Sequence, residues 1–308
     1  MLVLVTLFWG LSFPLMRTWQ QQAADCPGGK GLAALTLIAL RMLLALAVLA
    51  ACRPQLFAAP TRRQHGAGLV IGGAFFLGFS LQVLALSWST PTLSALITSL
   101  ANAWVPLLAL VCFRSPVPAV TLLGLCLAIG GTAVLTAFDS HGHPLGWGEG
   151  LTLLASLFFA VQILLLDRLG RRTRSDHLTV GFLGVTGISA LVIAMARAAG
   201  HGGLSAWLAW VGSMLGSPHI LTDLAMLTLL STVLAFHWMN TYQPRMSAGR
   251  AALIYLLEPV FAAMFSVCLG HEKVTSRLLV GGALVLGGNL LVEFSGRLRE
   301  FRKGSRGL

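Results

Sequence analysis

Long apolar stretches separated by short polar segments recur along the whole chain. Ten of them, each of roughly twenty residues, cover positions 1–18, 32–51, 67–86, 92–112, 117–137, 148–166, 178–199, 221–240, 249–269 and 277–294. A helix of about 20 residues rises about 30 Å, which is the thickness of the hydrocarbon core of a bilayer. The pattern therefore predicts an all-α integral membrane protein with ten transmembrane helices.

The fourth and fifth apolar stretches match the ninth and tenth. Pro106 and Pro259 lie 153 positions apart, and after the intervening turn Gly124 matches Gly281 at an offset of 157. An internal repeat in a protein with many membrane spans indicates a pseudo-symmetric transporter whose site lies between the repeats.

Five stretches precede residues 139–147 and five follow them. An odd number per half predicts that the two five-helix repeats are inverted relative to each other in the membrane. We expect one repeat over residues 1–138, the second over residues 148–296, and a basic tail over residues 297–308.

Composition and charge agree with a membrane protein. Of the 308 residues 56% are hydrophobic and only 10% are charged, and the mean hydropathy is +0.82. A soluble domain carries about a quarter charged residues, so a soluble fold is excluded. The net charge of +11 lies in short tracts between apolar stretches, which argues against nucleic acid as the partner.

The placement of basic residues predicts the orientation. One set of loops, together with the tail, holds Arg53, Arg62, Arg63, Arg114, Arg168, Arg171, Arg172, Arg174, Arg245, Arg297, Arg299, Arg302, Lys303 and Arg306. The opposite set holds only Lys30 and Lys273, with Arg277 at the edge of a span. The positive-inside rule therefore predicts that both termini lie in the cytoplasm. The membrane is expected to be the inner membrane of the cell.

No cofactor or metal is expected. The five cysteines show no paired spacing, and His141 and His143 lack an acidic or cysteine partner. A solvated turn is the favoured interpretation of these two histidines, and a metal site is the alternative.

Two ionisable residues lie midway along apolar stretches, and these are the first candidates for function. They are Arg41 in the second stretch and Glu258 in the ninth. A charge at membrane depth usually faces a cavity or a partner. We predict that both residues line a substrate cavity and that Glu258 couples transport to protons. The alternative is a structural Arg–Glu pair that leaves no charge for a substrate.

Prolines and polar side chains inside the spans complete the candidates. Pro14, Pro106 and Pro259 are expected to kink their helices, either as mobile joints or as static bends. Further cavity candidates are Trp9, Gln82, Asn102, Trp104, His237 and Tyr255. Interhelical hydrogen bonding is the alternative for the polar ones.

The glycine pairs of the fifth and tenth stretches indicate close helix contact, either within each half or at a homodimer seam. The protein is thus expected to be a monomer or a homodimer.

One loop between spans is itself apolar. Residues 205–215 read SAWLAWVGSML, too short to cross a bilayer. We expect this piece to lie at the membrane interface with Trp207 and Trp210 as anchors.

Three stretches carry a family resemblance. Residues 7–17 read LFWGLSFPLMR, residues 85–100 read ALSWSTPTLSALITSL, and residues 246–293 read MSAGRAALIYLLEPVFAAMFSVCLGHEKVTSRLLVGGALVLGGNLLVE. With Arg41 in the second span, these stretches resemble EamA-type members of the drug/metabolite transporter superfamily. Trp9, Gly10, Arg41, Pro106, Glu258, Pro259 and Glu272 match motif positions of that family. The first copy departs from the second, because Val105 occupies the position that matches Glu258.

The resemblance implies inverted five-helix repeats around a central cavity and transport of a small metabolite, amino acid-like or drug-like, often outward. Import or exchange by the same fold is the alternative. A membrane enzyme acting on lipid would need a reactive cluster, and no such cluster is visible in the sequence. A non-transporting scaffold would lack a cavity wide enough for a metabolite.

Overall fold

The computed structural model describes residues 1–57, 62–113, 118–136, 146–170, 175–242 and 254–304. Helices and short turns account for this part of the chain, and no strand occurs in it. Fold class is therefore all-α, as the apolar pattern predicts.

The helices of the first half follow the predicted stretches closely. They are α1 (Leu2–Gln22), α2 (Gly29–Cys52), a 3₁₀ turn (Pro54–Phe57), α3 (Arg62–Ala85), α4 (Pro91–Ser99), α5 (Ala101–Phe113) and α6 (Ala119–Thr136).

The helices of the second half also lie near the predicted stretches. Its helices are α7 (Trp147–Gly170), α8 (Ser175–Ala199), α9 (Gly203–Leu215), α10 (Pro218–Thr228), a π-helical segment (Leu229–Leu234), α11 (Ala235–Tyr242), α12 (Glu258–Cys268) and α13 (Ser276–Gly304). From α10 to α11 the chain is helical without interruption, and the π-helical segment widens it in the middle.

Several helical stretches in the described residues are long and apolar enough to cross a bilayer. The seven that qualify are Leu2–Gln22, Gly29–Cys52, Gln64–Ala85, Pro91–Leu108, Trp147–Leu166, Leu178–Ala199 and Pro218–Met239. The remaining apolar helices are shorter, over Ala119–Val134, Gly203–Leu215, Glu258–Cys268 and Ser276–Val292. The chain is a multi-pass membrane protein, and the number of ten crossings stays a prediction.

Two of the predicted spans are divided along their length. The fourth is divided at Leu100, where α4 gives way to α5. In the ninth, a turn at Leu256 and Leu257 precedes α12. Pro259 is placed differently from the predicted kink within a helix: it occupies the first turn of α12, where the missing N–H costs no helical hydrogen bond. Pro106 lies inside α5, after the break.

The glycine-rich helices α6 and α13 pack against each other and run antiparallel. A Cβ atom on Gly124 would lie 2.5 Å from the Gly288 carbonyl oxygen, and one on Gly131 would lie 2.7 Å from the Gly281 carbonyl oxygen. Only glycine permits this approach of two backbones. The contact joins the first half to the second, an arrangement that neither sequence interpretation of these glycines included.

Tryptophans close one end of the bundle, where α1 ends and α2 begins. Trp19 is fully buried, and its indole N–H donates to the Ala33 carbonyl at 2.9 Å. The Trp207 indole on α9 donates to the Thr36 hydroxyl at 2.9 Å, and Trp210 meets Trp19 edge to face. Trp207 is therefore a core residue and not the lipid anchor predicted for it, because α9 packs onto the bundle.

Candidate functional site

Hydrogen bonds between α1, α2 and the π-helical segment meet at Ser231. The Ser231 carbonyl accepts from the Trp9 indole at 3.2 Å and from Arg41 Nη2 at 3.4 Å. The Ser231 hydroxyl donates to the Phe8 carbonyl at 2.7 Å. We call Trp9, Arg41, Ser231 and Thr232 the Ser231 junction. A π-helical turn shifts the backbone hydrogen-bond register, and here the shift coincides with a carbonyl that receives side-chain donors.

Arg41 is buried in this junction. Its Nε donates to the Thr232 hydroxyl at 2.7 Å, Nη1 approaches the Met16 sulfur at 3.6 Å, and the guanidinium lies 5.2 Å from the Phe79 ring centroid. No carboxylate in the described residues pairs with it. A buried guanidinium without a counter-ion depends on such hydrogen bonds, so Arg41 holds three helices together.

Glu258 is half-buried at the start of α12, against α1. A Cβ atom on Gly10 would lie 2.9 Å from the Glu258 carbonyl oxygen and 2.6 Å from Phe261 Cβ, so a glycine is needed at that crossing. The Glu258 carboxylate interacts electrostatically with the nearby Tyr255 but forms no hydrogen bond or ion pair with any described residue. The Arg–Glu pair considered from the sequence is therefore not formed.

Trp9 lies between Tyr255, near Glu258, and Phe236, with tilted ring contacts to both. The Trp9 ring lies 5.6 Å from the Tyr255 ring and 5.7 Å from the Phe236 ring. The structure thus brings Trp9, Arg41, Tyr255 and Glu258 into one region between α1, α2, α11 and α12. Pro14 lies buried on α1, one turn beyond Gly10.

Other predicted site residues lie elsewhere. Gln82 is buried and donates to the Thr98 hydroxyl at 2.7 Å, and the Trp104 indole donates to the Ser156 hydroxyl at 2.9 Å. Both therefore link helices. Asn102 is half-buried on α5 and has no hydrogen-bond partner among the described residues. His237 lies on the exposed side of α11.

A cavity of about 80 Å³ lies between α3 of the first half and α7, α8 and α11 of the second. Its lining consists of Ile71, Phe75, Gln162, Leu166, Leu178, Thr179, Phe182, Phe236 and Met239. We call it the phenylalanine cavity. It lies toward the end of the bundle where α7 ends and α8 begins, opposite the tryptophan-closed end.

Three phenylalanine rings from three helices form one wall of this cavity. Phe182 lies 4.8 Å from Phe236 and 5.1 Å from Phe75, both edge to face. Phe75 stacks on Phe79 at 5.3 Å, and Phe79 in turn covers Arg41. The wall therefore separates the cavity from the Ser231 junction by one or two rings.

Sequence reasoning missed the residues that organise this region. Ser231 and Thr232 stand as a polar pair in the apolar run LLSTVLAF, and Phe75 and Phe79 stand in FFLGF. The Ser–Thr pair was a readable signal, because hydroxyls in a membrane span usually bond backbone carbonyls. The π-helical turn left no sequence signal.

His141 and His143 lie outside the described residues, and within those residues no group of three or more metal-ligating side chains occurs.

Comparisons with known proteins bear on this architecture. The model of the EamA-like transporter family matches residues 146–294. An uncharacterized transporter of Archaeoglobus fulgidus is 23% identical over 232 residues, which cover 71% of this chain and 66% of that protein. The chain therefore spans just under two thirds of that relative's length.

A solved crystal structure of a protein shows the same fold. It shares 18% sequence identity, has a TM-score of 0.57, and the alignment covers 96% of this chain and 98% of the other. The second half of the chain matches the EamA-like transporter family, in agreement with the resemblance stated from the sequence.

Proposed function

We propose that the protein is a secondary transporter that moves a small metabolite across the inner membrane by alternating access, in the outward direction. The observation that carries the proposal is the phenylalanine cavity, because helices from both halves line it. In transporters with inverted repeats the substrate site lies at the interface of the halves. The antiparallel contact of the repeat-matched helices α6 and α13 supports such an inverted pair.

The two ends of the bundle differ in a way that fits this mechanism. Buried tryptophans fill one end, and the cavity lies toward the other. We infer that the cavity end faces the cytoplasm, together with both termini, since the basic loops lie at that end. The conformation would then be closed on the outside.

Glu258 is the proposed coupling residue. The Glu258 carboxylate is half-buried and has no hydrogen bond from the described residues, so its oxygens are available to bind a proton. We expect Glu258→Gln to abolish or uncouple transport driven by a pH gradient in proteoliposomes, with normal expression. Glu149→Gln, at the first turn of α7, is the matched control and should transport normally. Unchanged gradient-driven transport in the Glu258 variant would remove this residue from the mechanism.

The substrate can be found by comparing the medium of overexpressing and deletion cells by metabolite analysis. We expect one compound to accumulate outside only when the intact protein is present. Accumulation inside instead would show import, which is the alternative direction for this fold. No difference across the panel contradicts export.

A non-transporting membrane scaffold is the second candidate, and the size of the cavity favours it. Sites for small molecules usually measure about 300–1,000 Å³, whereas this cavity measures about 80 Å³. A carrier must therefore widen the cavity to load its substrate. Substrate counterflow in proteoliposomes distinguishes the two functions, because a scaffold shows none.

A further inference from the structure

Among the described residues that line the phenylalanine cavity, none is ionisable. Its lining is apolar and aromatic except for the Gln162 amide and the Thr179 hydroxyl. A charged group that entered would lose its hydration without gaining an ion pair, and that exchange is strongly unfavourable. The lining therefore selects for an uncharged group.

Aromatic rings separate the cavity from Arg41 and from the region of Glu258. Phe75 and Phe79 lie between it and Arg41, and Phe236 and Trp9 lie between it and the region of Glu258. A substrate held in the cavity would therefore meet ring faces and edges before it met either charge.

The geometry of the rings favours an aromatic partner. Phe75, Phe182 and Phe236 come from α3, α8 and α11 and already contact each other edge to face. A fourth ring that entered beside them would extend the same arrangement, and such aromatic contacts add to the stabilisation that apolar burial alone gives.

Gln162 supplies the polar contact. Its side chain is half-buried in the lining and has no hydrogen-bond partner among the described residues. A primary amide both donates and accepts, so it can bind one neutral polar group such as a hydroxyl or an amide.

We propose that the phenylalanine cavity binds an uncharged aromatic ring of the transported compound, with Gln162 hydrogen-bonded to a neutral polar group on it. This inference rests on the proposed transport function and assigns its substrate class. The cavity is smaller than an engineered apolar cavity of about 150 Å³ that binds benzene, so binding requires the lining helices to move apart.

Four compounds with the same skeleton test the proposal on the purified full-length protein in nanodiscs, by saturation-transfer NMR with titration. They are benzyl alcohol, cyclohexylmethanol, benzoate and benzylammonium. We expect benzyl alcohol to bind most tightly, with at least roughly threefold preference over the saturated ring. Equal binding of cyclohexylmethanol would overturn the aromatic assignment, and tighter binding of either ion would overturn the neutral one.

Variants locate the binding. We expect Phe182→Leu and Gln162→Leu each to weaken benzyl alcohol binding by roughly threefold to tenfold. Phe294→Leu, which changes a largely exposed ring on α13, should leave binding unchanged and controls for partition into lipid. If all three variants bind benzyl alcohol as tightly as the unchanged protein does, the compound lies outside the cavity.

Failure of the binding proposal can be distinguished from failure of the transport proposal. Absence of benzyl alcohol binding in a protein that still shows counterflow of an identified metabolite overturns the substrate class and leaves the carrier intact. Absence of both overturns both. Binding that depends on Phe182 and Gln162 supports the proposal.

Discussion

At the residue scale, the buried charge of Arg41 is the most consequential feature. Its guanidinium has no counter-ion in the described part of the chain and depends on Thr232, Ser231 and Met16. Sequence alone identified Arg41 as unusual but paired it, as one alternative, with the only other charge at similar depth. The correct partners are a hydroxyl and a carbonyl, and neither is distinctive in a sequence.

We predict that Thr232→Val destabilises the protein, because it removes the acceptor of Arg41 Nε and leaves a buried donor unpaired. The expected loss is about 1–3 kcal/mol, measured as a lower apparent Tm in detergent. Thr222→Val is the matched control: Thr222 is exposed and bonds only the Pro218 carbonyl of its own helix. A variant at Thr232 as stable as this control would contradict the role given to the junction.

A second residue-scale feature lies in the turn between α12 and α13. His271 Nε2 lies 3.2 Å from the Thr18 hydroxyl, and Glu272 Oε1 accepts from the Thr92 amide at the start of α4. Burial, and then the positive charge of Arg17, lower the pKa of His271, while Glu272 opposes the shift. The folded protein therefore favours the neutral imidazole over the protonated one.

We predict that His271 makes the protein less stable in acid. Because its folded pKa is below the unfolded value, the unfolded chain binds the proton first as pH falls below about 6.5, and the stability present above that pH is lost. Apparent Tm should fall between pH 7.5 and pH 5.5, and His271→Gln should fall less. Equal losses in both proteins would show that other groups cause the acid sensitivity.

At the element scale, the backbones of α6 and α13 come into direct contact across the two halves. A Cβ atom on Gly288 would meet the Gly124 carbonyl and would lie 2.6 Å from the Ala128 backbone nitrogen, whereas one on Gly287 would meet nothing within 4 Å. Neighbouring glycines of one helix therefore differ completely in their surroundings.

We predict that Gly288→Ala separates α6 from α13 and costs about 1–3 kcal/mol, as overpacking does. Gly287→Ala should be neutral or slightly stabilising, since alanine favours a helix over glycine by about 1 kcal/mol. Thermal unfolding of both variants in the same detergent checks this. Equal stability of the two would contradict the packing described for Gly288.

The elements were largely readable from the sequence, but their breaks were not. Apolar runs of bilayer length located helices near every predicted stretch, because burial in lipid requires a helical backbone. Proline was a weaker guide: the breaks fall at Leu100 and at Leu256–Leu257, and Pro259 begins a helix. Tertiary contacts decide where a span divides, and a single sequence does not record them.

The candidate site was readable only in part. Four of the predicted residues do lie in one region: Trp9, Arg41, Tyr255 and Glu258. A charged residue within a span usually faces the interior of the bundle and not the lipid. Gln82 and Trp104 link helices, and the phenylalanine cavity escaped notice. Phenylalanine is common in membrane spans, so its gathering from three helices becomes visible only in three dimensions.

At the scale of the whole molecule, orientation in the membrane can be tested with native cysteines. Cys52 is exposed at the end of α2, on the side of the basic loops, and Cys268 is exposed at the end of α12, on the opposite side. Positive-inside placement puts the first in the cytoplasm and the second outside.

We predict that a membrane-impermeant maleimide labels intact spheroplasts when Cys268 is the only cysteine left. A protein that keeps only Cys52 should be labelled after permeabilisation alone. The other four cysteines are changed to serine in each protein, and both are compared with a version that lacks all five. The reverse pattern would show that the termini lie outside.

The pairing of α6 with α13 also bears on how the protein is made. The glycine face of α6 is synthesised before any helix of the second half, and α13, which covers it, follows only after α7 to α12. An unfinished chain therefore holds an uncovered backbone surface in the membrane throughout synthesis of the second half. Premature termination anywhere before α13 leaves that surface open to quality-control proteases, so truncated forms should be short-lived in the cell.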